Sequence, residues 1–160
     1  MAESWFLKID GIHGESADVS HKDEIDVLSW SWGVAKASGL AGSGGGAGKA
    51  VFQDFHFVAQ ISKASPMLFS ACASGTHHKT AALSGVRGAG KSKSADFLKY
   101  QLSDVVITTV QHGDSEGGAP VEQFSLNYSK IEVSYTPQLA SGKVGAPIRA
   151  GFDVKANKKI

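Results

Sequence analysis

Short runs of alternating apolar and polar residues, punctuated by Gly, Ser and Asp clusters, recur along most of the chain. Alternation with a period of two marks a strand with one buried face. It predicts strands over Trp5–Asp10, Ile25–Val34, Ala50–Ile61, Thr80–Leu83, Phe97–Val110, Val121–Tyr135 and Ile148–Val154. In EIDVLSWSWG (Glu24–Gly33), strand geometry puts Leu28, Trp30 and Trp32 on one face. Ile25, Val27, Ser29 and Ser31 fall on the other. In the next strand Phe55 and Phe57 share a face opposite Phe52, Asp54 and His56.

Three departures from simple alternation carry information. Within Val121–Tyr135 the apolar phase shifts from Phe124, Leu126 and Tyr128 to Ile131, Val133 and Tyr135, which predicts a bulge near Ser129–Lys130. Fully extended, that segment would run about 50 Å, against roughly 17–20 Å for a usual strand. One segment is helical: KASPMLFSACASG has Ser65 as an expected N-cap, Pro66 at the first helical position and Gly75 as a left-handed stop. Met67, Leu68, Ala71 and Cys72 recur at helical spacing, so that face should close over the strands. The third departure is the glycine-dominated run Lys36–Lys49, longer than ordinary loops and poor in apolar residues. Long strands with one capping helix fit a barrel better than a small open sheet.

Composition narrows the function classes. The chain has 160 residues, a formal net charge of +1 and one cysteine. That balance gives no general case for nucleic acid or an acidic membrane surface. A lone Cys72 excludes an intrachain disulfide framework and reads as an inert core thiol. No apolar run reaches the roughly 18 residues that a spanning helix needs. The N-terminal MAESWFLKIDG has neither a basic nor an apolar region of a secretory signal, so export would need a route without a cleaved signal. Local charge is uneven: Arg87, Lys91, Lys93 and Lys99 lie close together, and Glu15, Asp18, Asp23, Glu24 and Asp26 crowd an earlier segment.

Gly85–Ser92 (GVRGAGKS) satisfies the P-loop pattern, with Lys91 and Ser92 at the phosphate and magnesium positions. A P-loop needs a buried strand before it and a helix beginning at its end. Here a weakly apolar run precedes it and a β-branched run follows, so the segment reads as a turn between strands. The adjacent His77 and His78 project oppositely in a strand and lack metal-ligand spacing. No G-x-S-x-G elbow supports an acyl-transfer triad. The tryptophans Trp5, Trp30 and Trp32 read as core residues. The residues alone leave open a P-loop nucleotide-binding enzyme, a soluble β-barrel ligand-binding module and a phage-like tail tube protein.

Several segments together resemble the Hcp family, the haemolysin-coregulated tube proteins of the bacterial type VI secretion system. They are FLKIDGIHGES, HKDEIDVLSWSWG, KASPMLFSACASG, LSDVVITTVQHG, EQFSLNYSKIEVSYTPQ and the tail GFDVKANKKI. Two features depart from the family pattern: Phe152 stands where Trp is common, and the turn at Gly85–Ser94 is richer in Lys and Gly. The resemblance implies a mainly β single domain over 1–160, a β-barrel of two packed antiparallel sheets with one flanking α-helix. It implies assembly into a hexameric ring, with rings stacking into a tube. Its implied partners are copies of itself, a contractile sheath, a spike protein and effector proteins carried in the lumen. It implies no catalysis, no cofactor or metal, no nucleic acid and no direct membrane insertion. Assembly in the bacterial cytoplasm followed by secretion is the implied localisation. Ser29 and Ser31 are the lumen candidates, and Lys36, Leu40 and Lys49 mark the 36–49 segment as the candidate assembly loop.

Overall fold

The computed structural model describes residues 3–37, 48–87, 96–114 and 116–160. Alternation delivers strands nearly everywhere it is found. β1 (Glu3–Ile9) is followed by β2 (Ile25–Val27), β3 (Ser29–Ser31), β4 (Val34–Lys36), β5 (Ala50–Phe52) and β6 (Phe55–Gln60). The helix α1 (Ala64–Ser74) precedes β7 (His77–Arg87), β8 (Asp96–Gly113), β9 (Val121–Asn127), β10 (Lys130–Tyr135), β11 (Ile148–Asp153) and β12 (Lys158–Lys159). All strand pairings are antiparallel.

Ten strands form one branched sheet around β8. One path runs β12-β11-β10-β8-β7-β1-β2, and a second leaves β8 through β9 and β6 to β3. β4 and β5 form a separate two-stranded ribbon. The ends of the two paths, β2 and β3, are consecutive in the chain and meet at Leu28, whose N–H donates to the Val58 carbonyl at 2.8 Å. The sheet therefore curls over its own core, yet the described strands form no closed barrel. That corrects the expected barrel of two packed sheets.

The run Ile25–Val34 is three strands rather than one, and its phase changes at Leu28. Ile25 and Val27 are buried, Leu28 is 56% exposed, and Trp30 and Trp32 pack against the core. The expectation that Leu28 shares the tryptophan face was wrong. Changing partner from β1 to β6 needs one residue that pairs with neither core face, and Leu28 is that residue. The expected bulge near Ser129–Lys130 is instead a strand break. There β9 ends, and β10 resumes on the other half of β8 with its apolar phase shifted by one. Thr80–Leu83 extends to His77–Arg87, because pairing with both β1 and β8 stabilises a strand that apolar content alone does not predict.

Phe55, Phe57 and Phe124 are almost fully buried and stack in series, with Trp32 on Phe55 at 5.4 Å and Phe57 on Phe124 at 5.2 Å. Trp5 and Trp30 meet edge-on at 5.0 Å. Each such aromatic contact adds about 0.5–1.5 kcal/mol beyond area burial. Tyr128 joins the core to the strand break: its hydroxyl accepts from Trp32 Nε1 at 2.5 Å and donates to the Gln53 carbonyl at 2.8 Å. Burial pushes the Tyr128 pKa up to about 12, with the Trp32 donation working against the rise and Asp54 adding to it.

The helix begins two residues earlier than expected. Lys63 is its N-cap, without a side-chain hydrogen bond, and Ser65 lies inside the first turn. Ser65 Oγ accepts from the Ser62 N–H and donates to Glu122 Oε1, so a tertiary partner takes the hydroxyl that sequence assigned to capping. Gly75 ends the helix at φ 67°, as expected. Leu68 and Ala71 face the core, whereas Met67 and Phe69 are 51% and 61% exposed, which corrects the place given to Met67.

Candidate interaction faces

Apart from the short β12, the strands of the large sheet turn one side to the core, so recognition chemistry sits on the outer side. Along β3, β6, β9 and the second half of β8, the register aligns Ser31, His56, Ser125 and Thr109 in one row. The next row is Ser29, Val58, Gln123 and Gln111. Neither row contains Lys, Arg or a carboxylate. Ser29 and Ser31, singled out from the sequence, are exposed here. The amides of Gln111 and Gln123, and His56, extend the same surface.

One end of this face is braced. A register shift between Ile107 and Thr109 brings both Thr108 and Thr109 hydroxyls to Ser125 Oγ, at 2.7 and 2.5 Å. Thr108 Oγ1 also donates to Asp54 Oδ2 at 2.7 Å, and Asn127 Nδ2 donates to Asp54 Oδ1 at 2.8 Å. Donors thus hold the single carboxylate at the rim. Ser125 is buried beneath these contacts, and the exposed groups alongside, Ser29, Ser31 and the Gln111 and Gln123 amides, can donate or accept to many partners.

The other half of the sheet has a different exterior. Its rows read Arg149, Ser134, Lys99, Ser84, Phe6 and Asp26, then Glu132, Gln101, Ala82 and Lys8. Positive and negative groups are interspersed, and Lys130 Nζ lies 3.9 Å from Asp153 Oδ2. Burial pushes the Asp26 carboxyl pKa up, and the nearby charges of Asp18 and Glu15 add to it. His21 lies over Phe6 with Glu24 and Asp96 on its two ring nitrogens. No local pattern could reveal that cluster, because Asp96 comes from a strand far away in sequence. The buried Glu122, held by Ser65 and by His112 Nε2 at 2.6 Å, did leave a signal. It is a charge in phase with Phe124 and Leu126, where an alternating strand needs an apolar residue or a partnered one.

Of the candidate assembly segment the ends are described: Lys36 pairs with Ala50 in the β4–β5 ribbon, and both Lys36 and Lys49 are exposed. Leu40 lies outside the described residues. Beneath the ribbon an apolar groove of about 320 Å³ is lined by Trp32, Val34, Phe52, Ile131, Val133 and Phe152. Phe152 meets Phe52 at 5.2 Å, a packed aromatic position that accommodates Phe in place of Trp.

The P-loop pattern falls across a β-hairpin. Gly85 and Arg87 belong to β7, β8 returns antiparallel from Asp96, and residues 88–92 lie outside the described residues. Gly85 has a packing reason: a Cβ there would come within 2.4 Å of the Trp5 ring on the paired strand. His77 and His78 point apart, to Asp104 Oδ1 at 2.9 Å and the Asp10 carbonyl at 2.8 Å. Among the described residues no cluster of His, Cys, Asp and Glu could hold a metal ion, and no helix is long and apolar enough to cross a membrane.

Residues 6–135 match the family model described as "Type VI secretion system effector, Hcp". The chain is 40% identical to Protein hcp1 of Pseudomonas aeruginosa over 160 residues, covering 98% of each chain. Among solved structures it superposes on Hcp1 from Salmonella typhimurium with a TM-score of 0.83 at 40% identity, covering 100% of both chains. A structure described as a type six secretion system protein gives a TM-score of 0.89 at 30% identity, over 99% of this chain and 100% of the other.

Proposed function

The chain belongs to the Hcp family of the type VI secretion system, and we propose that it is a tube subunit whose neutral sheet face lines a channel. Six copies close into a ring through two different surfaces of each subunit meeting head-to-tail. Rings stack into a tube that a contractile sheath expels behind a spike, and effector proteins travel in its lumen. The whole chain acts as one domain in this role, assembled in the cytoplasm and exported without a cleaved signal. The work is mechanical and recognitional, with no catalytic step.

The observation that carries the reading is the uncharged surface across β3, β6, β9 and β8, with Ser29 and Ser31 at one margin. A channel that must pass different proteins needs groups that hydrogen-bond weakly to many surfaces, without a fixed charge pattern that would select or trap one. The 36–49 segment, with Lys36, Leu40 and Lys49, is the proposed contact to a neighbouring subunit or ring. Its glycines make ordering costly, which suits a reversible contact.

Native mass spectrometry tests the assembly: a six-subunit species is expected, and a monomer at working concentration defeats the ring. For the channel, Ser31→Gln should keep the ring while reducing effector co-purification. Undiminished co-purification removes Ser31 from the channel wall.

A further inference from the structure

His21 is 7% exposed, in the loop between β1 and β2, and the proposed function assigns it no part. Its Nδ1 lies 3.0 Å from both carboxylate oxygens of Glu24, and its Nε2 lies 2.7 Å from Asp96 Oδ1. The ring is stacked on Phe6 at 4.9 Å and 7°. A neutral imidazole has one N–H, so one of the two carboxylates would face a lone pair. Both contacts are attractive together only when the ring carries two protons.

The loop is laced mainly to itself: Gly14 N–H to the Asp23 carbonyl, Ser16 N–H to the Glu24 carbonyl, Asp23 N–H to the Ser16 carbonyl. Among the described residues the His21–Asp96 bond is the hydrogen bond that ties it to β8. We propose that His21 is a proton-operated latch: doubly protonated, it clasps Glu24 and Asp96 at once, and loss of the Nε2 proton frees the loop from the start of β8. Asp96 is the partner released because it is the more exposed, at 27% against 12% for Glu24, and has more water to return to.

The charged groups around the ring fit two states. The loop itself supplies Glu24 and also Asp18, whose Oδ2 accepts the backbone N–H of His21 at 3.1 Å. β8 supplies Asp96 and Lys99, β1 supplies Lys8, and β7 contributes the uncharged Ala82 and Ser84 to the same depression. When the ring is neutral, Lys8 and Lys99 are at hand for the released carboxylates. Burial alone would lower the His21 pKa, but the hydrogen bonds and charges of Asp96 and Glu24 outweigh it and hold it above the ordinary value. The latch is therefore fully closed below the unfolded-state value near 6.5 and opens as pH rises through the raised one.

Hydrogen exchange of the full chain, corrected for the intrinsic pH dependence of exchange, reads the latch directly. From about pH 5 to above about pH 8, protection of amides 14–24 should fall about tenfold. Asp96→Asn, nearly isosteric and at a partly exposed position, should move that fall to lower pH, and His21→Gln should abolish it. Constant protection across the range in the unaltered chain overturns the proposal, as does a fall with the same midpoint in Asp96→Asn.

Discussion

The two outer faces of the large sheet share one core and differ in almost everything else. Beyond β3, β6 and β9 the rows carry hydroxyls and amides with His56 and Val58; beyond β1, β2, β10 and β11 they intersperse positive and negative groups and hold the His21 cluster. Folding does not require this difference, since either chemistry is compatible with water on the outside and the same aromatic stack within. It therefore reports what each face meets. A neutral face makes no commitment to a partner's charge pattern. A face of interspersed charges sets register and excludes wrong partners.

The core beneath the faces is the strongest place to test their independence. Phe55→Ala should destabilise the chain by about 3–5 kcal/mol in urea unfolding, loosening both faces at once. A loss confined to the β3–β6–β9 half would split the sheet into two units. Tyr128→Phe acts at the seam where β9 gives way to β10 and leaves Trp32 Nε1–H without its acceptor. About 1–3 kcal/mol of destabilisation is expected, with faster hydrogen exchange in residues 52–54 and 128–130.

Raising the pH tests the charged half alone. Because the His21 pKa is raised in the folded chain, the stability it contributes is complete below about 6.5 and disappears as pH rises through the folded value. The melting temperature should decline over that window and the decline should vanish in His21→Gln. An unchanged slope in the variant assigns the decline elsewhere. The smallest stability effect belongs to the neutral face: paired Ser31→Glu and Gln123→Glu substitutions should shift unfolding by less than about 0.5 kcal/mol. Their expected effect is on recognition, making effector retention depend on salt. Retention equal to that of the unaltered chain at low and high salt would show that the face is indifferent to charge.

Much of the fold is legible in the sequence where local chemistry decides. Alternation located the strands, Gly75 ended the helix, and Phe55 and Phe57 were placed on the core face. Ser29 and Ser31 were placed opposite the tryptophans but on one face with Ile25 and Val27, which the structure buries instead; it sets Gln111, Gln123 and His56 beside the serines, which only strand pairing does. The Walker-like pattern was read as a turn; its described part, Gly85–Arg87, is strand, where Gly85 answers to Trp5 across the ladder.

What the sequence determined by itself was the periodicity, and with it the mainly β character, the single helix and the family. Tertiary structure decided which neighbour each strand takes. It placed Leu28 in solvent between two partners, drew Ser65 from capping to Glu122, and joined His21 to Asp96. The physical reason is common to all three. Side-chain phase is fixed within a few residues, whereas a change of partner, a buried charge and a two-sided imidazole are settled by groups distant in the chain.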